Sequence, residues 1–188
     1  DASIKNVIKT LFEAILLVIL VVFIFLQSLR STIIPTISII VSLVGTFAFL
    51  MVAGFSLNMI TLFALVLVIG TVVDDSIVVV EAVQAKFYEG YKSSYKATVD
   101  AMGGISTALV ATTFVFMAVF IPVSFMGGTT GTFYKQFGLT MAVAVGISLI
   151  NSLTLSPALC SLIMTPHDEV RPGEKASFSS RFHTAFDS

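Results

Sequence analysis

Apolar residues fill five long stretches of the chain, approximately 11–27, 32–53, 57–80, 105–125 and 137–164, and polar residues collect between them. Each stretch is close to the roughly 20 residues a helix needs to cross the hydrocarbon of a bilayer. Backbone N–H and C=O groups cannot go unpaired there, so the runs must be helices or strands of a closed barrel. Barrel strands would alternate apolar and polar residues over segments of about ten. These runs are longer and continuous, which predicts five transmembrane helices.

The intervening segments set the topology. Gln27-Ser28-Leu29-Arg30-Ser31 and Ala53-Gly54-Phe55-Ser56 read as tight turns, 81–102 as a long polar connection, and Met126-Gly127-Gly128-Thr129-Thr130-Gly131 as a glycine-rich loop. Alternate connections share a side. One side holds Arg30, Lys86, Lys92, Lys96, Arg171, Lys175 and Arg181; the other holds Lys5, Lys9 and Lys135. Seven cations against three predict that the first side is cytoplasmic. Within the long connection, Tyr91, Tyr95 and Val99 recur every fourth residue and predict a short surface helix. In the tail, Phe178, Phe182 and Phe186 do the same around Arg181 and His183, the pattern of an amphipathic helix on the inner membrane face. The tail helix is read as an interfacial connector, with docking the alternative. Pro122 and Pro157 are expected to bend the fourth and fifth spans, with Thr154 and Ser156 satisfying backbone groups freed by Pro157.

Composition agrees with a membrane protein. The 188 residues are 56% hydrophobic and 11% charged, against roughly 25% charged in soluble domains. A net charge of −1 supplies no basic field for nucleic acid. The single cysteine, Cys160, excludes an internal disulfide and reads as a small core residue. Lys5 and Lys9 before an apolar run superficially resemble a signal peptide, but no small-residue cleavage site follows and a second span begins almost at once. The chain starts without Met and stops amid a repeating pattern, so it is expected to be part of a longer one.

The third span carries the chemistry. Residues 60–80 include fourteen Leu, Ile, Val or Phe, and the adjacent Asp74 and Asp75 are its only charges. On an insertion scale each Asp near a helix centre costs about 2.5–3.5 kcal/mol, while the apolar residues together return about 4–8 kcal/mol. The span is marginal by itself and needs neighbours to shelter its acids. Intramembrane acids of this kind mark functional sites, and two adjoining carboxylates titrate as a coupled pair. A site that changes protonation as a cation moves meets the requirement of a proton relay. No Lys, Arg or His lies inside the five spans. The partner cation is therefore expected on a helix outside this chain, with a wet cavity as the alternative. Gly70 and Thr71 lie one turn before the two acids and are expected to admit a close neighbouring helix. Asp74, Ile77/Val78 and Glu81 share a face. Glu81 reads as an interfacial charge, or alternatively as a proton exit group. Glu13 reads as a boundary acid. Asn58, Thr61, Thr112, Thr113, Asn151, Ser152 and Thr154 read as interhelical hydrogen-bonding residues. The glycine-rich loop lacks the GK[ST] ending of a phosphate cradle, and no metal site is expected.

Gly70-Thr-Val-Val-Asp74-Asp75-Ser-Ile-Val-Val-Val-Glu81 resembles the fourth transmembrane helix of resistance–nodulation–division (RND) efflux pumps of the AcrB type. Three further segments resemble the same family in order: Phe25-Leu-Gln-Ser-Leu-Arg-Ser-Thr-Ile-Ile-Pro35-Thr, Phe125-Met-Gly-Gly-Thr-Thr-Gly-Thr-Phe-Tyr-Lys-Gln-Phe137 and Leu155-Ser-Pro-Ala-Leu-Cys160. The resemblance covers about residues 1–165 and implies an all-α membrane fold in which the five spans are helices 2 to 6 of an RND bundle. It makes residues 1–10 the end of a periplasmic domain and 165–188 a cytoplasmic tail. It further implies a homotrimeric inner-membrane exporter of drugs or other amphiphiles, a secondary transporter and not an enzyme. Protons would be the coupling ion and no cofactor would be needed. A periplasmic adaptor, an outer-membrane channel and membrane lipid would be its partners. Asp74 and Asp75 match the family's proton-relay aspartates, whose Lys lies on a later helix. The doubled Asp resembles the drug and amphiphile branch, whereas heavy-metal exporters typically carry one. Ala82 stands where the family often has Asn, which weakens a role for Glu81.

Two other classes fit parts of the pattern. A lipid or sterol transporter or sensor of related fold shares the acidic helix. An intramembrane aspartyl protease needs two acids facing one bond, whereas helix neighbours diverge by about 100°.

Overall fold

The structure, a computed structural model, describes residues 2–55, 58–128 and 130–166. Among the described residues six helices follow one another: α1 Ala2–Leu26, α2 Leu29–Val52, α3 Met59–Tyr88, α4 Ser94–Val123, α5 Gly131–Leu153 and α6 Leu155–Ile163. Five crossings are long and apolar enough to span a membrane, with α5 and α6 together making the fifth. The all-helical bundle agrees with the sequence reading. The expected tail helix of Phe178, Phe182 and Phe186 lies outside the described residues.

Local chemistry fixes the helix ends. Gln27 closes α1 in the left-handed region at φ 50°, and Ser28 caps α2 by accepting from the Ser31 N–H. Asn58 caps α3 by accepting from the N–H groups of Ile60 and Thr61 at 2.9 and 3.0 Å, and the Thr61 hydroxyl accepts the Asn58 N–H in return. This reciprocal box satisfies donors that a helix start leaves unpaired. The Asn58 amide also donates to Gln136 at 2.6 Å, fastening the start of α3 to α5.

The fifth span divides at Thr154, where φ is −122° and ψ −65°. Pro157 lacks an N–H and its ring would meet the carbonyl of Leu153, four residues back, so the backbone turns aside just before it. The Thr154 hydroxyl donates to the Ile150 carbonyl at 2.6 Å, as expected of it. Ser156 does otherwise: its hydroxyl hydrogen-bonds Ser38 of α2 at 3.0 Å. Pro122 sits in the last turn of α4, one residue before the helix ends at Val123.

α3 is the central column and packs against all five other helices. Leu65, Val68, Ile69, Val79, Val80 and Val83 on it are almost wholly buried. α1 and α4 lie outside and turn Phe12, Leu16, Leu17, Phe114 and Val119 outward, as lipid-facing helices require. Cys160 is fully buried, in keeping with a core role.

The long polar connection is mostly helix. α3 continues to Tyr88 and α4 starts at Ser94, so the expected surface helix is the first part of α4. Ser93 caps it, and Ala97, Thr98 and Ala101 are buried along one side. That burial, with no proline before residue 122, carries the helix through Gly103 and Gly104 without a break. The remaining turn is clasped by charge. Lys86 pairs with Glu89 and with Asp100, each at 2.8 Å, and the Tyr91 hydroxyl donates to Asp100 at 3.1 Å. That hydrogen bond pushes the Tyr91 phenol above its ordinary value of 10.0. The protonated phenol is therefore the form that folding favours. Its contribution is complete below pH 10.0 and disappears as pH rises through the raised value. Lys86→Ala should speed amide exchange across residues 89–93 several-fold at neutral pH. In the unaltered protein, the same turn should loosen in strongly alkaline solution, where Tyr91 loses its proton, and also in acid, where Asp100, held below its ordinary value by Lys86 and Tyr91, takes one up.

Candidate functional site

Asp74 and Asp75 lie near the middle of α3, with Asp75 about 24 Å along the helix from Met59 at 1.5 Å per residue. Their side chains leave the helix about 100° apart and meet different surroundings. Asp75 is half-buried and accepts a hydrogen bond from the Ser148 hydroxyl of α5 at 2.7 Å. Asp74 is exposed, and among the described residues it has no hydrogen bond or ion pair. Neither acid meets a Lys, Arg or His among the described residues.

Asp74 belongs to an uncovered stripe. Phe63, Leu67, Gly70, Asp74, Val78 and Glu81 are all exposed and recur at three- and four-residue spacing on α3. The face shared by Asp74, Val78 and Glu81 is thus as expected. The close approach expected at Gly70 is not made by any described helix, because a Cβ built there meets nothing within 4 Å. The stripe faces away from α2, α4 and α5, which cover the other sides of α3. Thr71 bonds inside its own helix, to the Val68 carbonyl at 2.9 Å. Close approaches occur instead between α4 and α5, at Gly138 and Gly146. Glu13 is exposed on α1, 3.8 Å from Lys9.

The other expected interhelical contacts are met only in part. Asn58 reaches Gln136, and Asn151 donates to the Ser42 hydroxyl of α2 at 2.7 Å. Thr61, Thr112 and Thr154 bond locally. Ser152 is buried with no partner for its hydroxyl. Sequence reasoning passed over Ser148 and the serines of α2. Their signal was spacing: Ser148, Ser152 and Ser156 recur every four residues, as do Ser38, Ser42 and Thr46. On a helix that spacing makes one polar line. Among the described residues, no group of three His, Cys, Asp or Glu is placed to hold a metal ion.

A bundle of long apolar helices with an acidic pair at the middle of its central column defines a multi-pass helical membrane protein. The AcrB/AcrD/AcrF family matches residues 1–188, and the chain belongs to that family. It is 46% identical over 185 residues to the multidrug export protein AcrF of Escherichia coli, covering 98% of this chain. It is 44% identical over 187 residues to the toluene efflux pump membrane transporter TtgE of Pseudomonas putida, covering 100% of it. The multidrug resistance protein MdtF of Escherichia coli is 45% identical over 187 residues, again covering 100%. The chain spans 18% of the length of each of these relatives.

Proposed function

We propose that the chain is the ion-coupling portion of an RND exporter of drugs, solvents or similar amphiphiles, with Asp74 and Asp75 as its proton-carrying groups. The observation that carries this reading is the divided pair. Asp75 is held inward by Ser148, while Asp74 stands on a helix face that no described residue covers. Two acids at mid-membrane are too costly to keep without a task, and the open stripe suits a helix from the remainder of the transporter. A Lys on that helix would pair with the deprotonated acids and be released when they take up protons. The helices would then shift and drive a periplasmic domain. Gly70 would let the Lys-bearing helix approach Asp74 closely. Glu81 lies on the same stripe, at the cytoplasmic end.

In this reading the full-length protein sits in the inner membrane as a homotrimer. It would work with a periplasmic adaptor and an outer-membrane channel. It needs no cofactor and catalyses no covalent reaction. A protease reading is opposed by the geometry, because Asp75 turns to Ser148 and Asp74 turns outward, so the two do not face one bond. A lipid or sterol carrier finds no support in the relatives, whose names speak of multidrug and toluene export.

The coupling ion is tested by reconstituting the full-length transporter in sealed vesicles and imposing a pH gradient or a sodium gradient separately. Export of an amphiphilic dye is expected under the pH gradient alone. Export driven equally by sodium would overturn proton coupling.

A further inference from the structure

Below the acidic pair, towards the end of the bundle that holds Arg30 and Lys86, polar side chains form a seam between α2, α3 and α5–α6. Its rungs descend in order. Ser148 meets Asp75 at 2.7 Å, Asn151 meets Ser42 at 2.7 Å, Ser38 meets Ser156 at 3.0 Å, and Gln84 donates to Ser31 at 3.0 Å. Arg30 hydrogen-bonds Thr165 at 3.0 Å at the mouth. Ser38, Ser42, Ser148 and Ser156 are all at most 1% exposed. Such side chains are ordinarily packing contacts, and a row of them would signify nothing more by itself.

Two further hydroxyls change that reading. Ser76 and Ser152 are each 1% exposed, and among the described residues neither hydroxyl has a hydrogen-bond partner. Leaving a buried hydroxyl unpaired costs about 1–3 kcal/mol. Both sit on the seam. Ser152 lies one turn below Ser148 on the same face of α5. Ser76 leaves α3 between Asp75 and Gln84, about 100° around the helix from the first and about 80° from the second. By helix rise it lies about 1.5 Å below Asp75, between the Asp75–Ser148 rung and the Asn151–Ser42 rung. Buried water is the usual partner of such groups.

The spacing suits water. By helix rise the seam's upper rungs are about 4–6 Å apart, too far for one hydrogen bond and right for two bonds through one water, while the last step, from Ser38 to Ser31, is about 10 Å and takes a short file of waters. The Glu81 side of α3 offers no comparable route, since Ile77 and Val78 separate it from Asp74. We propose that this seam, completed by water at Ser76 and Ser152, is the path by which a proton leaves Asp75 for the cytoplasm. The Asp75 carboxyl gives up its proton, and each water or hydroxyl accepts one and passes on another. The last hands one to bulk water, leaving a carboxylate and a hydronium ion; only O–H bonds form and break. Asn151 is a positioning residue: by donating to Ser42 it leaves the Ser42 hydroxyl free to donate along the seam.

The proposal rests on Asp75 being a proton carrier, and its test separates the two ideas. The full-length transporter carrying Ser76→Ala and Ser152→Ala is reconstituted, and proton flux and dye export are followed under an imposed pH gradient. Both are expected to fall together by at least about tenfold, equivalent to roughly 1.4 kcal/mol on the proton-transfer barrier. The Ser76→Thr, Ser152→Thr protein keeps the hydroxyls and should regain most of the flux. Native flux in the alanine protein, or no recovery in the threonine protein, would overturn the path. Should the double variant fail to accumulate, Ser152→Ala alone is read, since its hydroxyl makes no bond to protein. Asp75→Asn is run beside them: if it still couples export to protons, the underlying assignment fails and not merely the route.

Discussion

Asp75→Asn in the full-length transporter is expected to reduce proton-coupled export to below about 1% of native, the scale of losing a positioned proton-transfer group, with the protein still present in the membrane at its usual level. Asn has nearly the shape of Asp and can still accept a hydrogen bond from Ser148, which lies 2.7 Å from the Asp75 carboxylate. What it loses is the ability to carry a proton and a charge. Each Asp costs about 2.5–3.5 kcal/mol at the centre of an inserting helix, so removing that charge makes insertion of α3 easier. Loss of export together with loss of protein would therefore contradict the argument as much as retained export would. Asp74→Asn should also abolish coupling, for a different reason. Its side chain stands on the uncovered stripe, where a cation from elsewhere in the transporter would meet it. Dye efflux from cells, read beside immunoblots of membrane fractions, checks both variants.

The contrast between the two acids shows where a sequence informs and where it does not. Five spans were legible because lipid imposes a single demand, continuous apolar length, and the runs display it without ambiguity. Turns at Gln27–Ser28 and Gly54 were equally plain, since little but a polar or glycine residue tolerates those positions. The extent of α3 and α4 was not legible. Residues 81–102 look like a polar connection by composition, but composition reports the solvent and not the backbone. Capping by Ser93 and burial of Ala97 and Ala101 turn most of that stretch into helix. Asp74 and Asp75 stood out because a charge among fourteen large apolar residues is an energetic anomaly. Ser148, Ser42 and Ser38 did not, because serine is nearly neutral in a span and its meaning depends on what faces it. The partnership of Asp75 with Ser148 joins residues 73 apart, and only the packing of α3 on α5 supplies it. Gly70 shows the opposite case. Its position beside the acids suggested a close helix contact, yet the described helices make theirs at other glycines.

Gly138→Ala should be the most damaging of the glycine substitutions. A Cβ at Gly138 would lie 2.8 Å from the Phe120 carbonyl oxygen and 3.3 Å from the Ser124 N atom, both backbone atoms of the last turn of α4 and its cap. Backbone cannot swing aside as a side chain can, and Pro122 stiffens this turn. One of the two helices must move, at a cost of about 1–3 kcal/mol for an overpacked contact. Gly146→Ala places its Cβ 2.9 Å from the Met117 methyl, the far end of a flexible chain, so the effect should be clearly smaller. Gly70→Ala meets nothing within 4 Å, and alanine is the better helix former by about 1 kcal/mol in water. By this chain's own contacts, it should be neutral or stabilising. In the purified full-length transporter, compared by thermal unfolding in detergent, Gly138→Ala should be less stable than Gly146→Ala. A marked loss at Gly70→Ala would mean that another part of the transporter packs directly on the Asp74 face, which is where the missing cation is expected. An unaltered Gly138→Ala protein would show that α4 and α5 do not meet as closely as the distance to Phe120 requires.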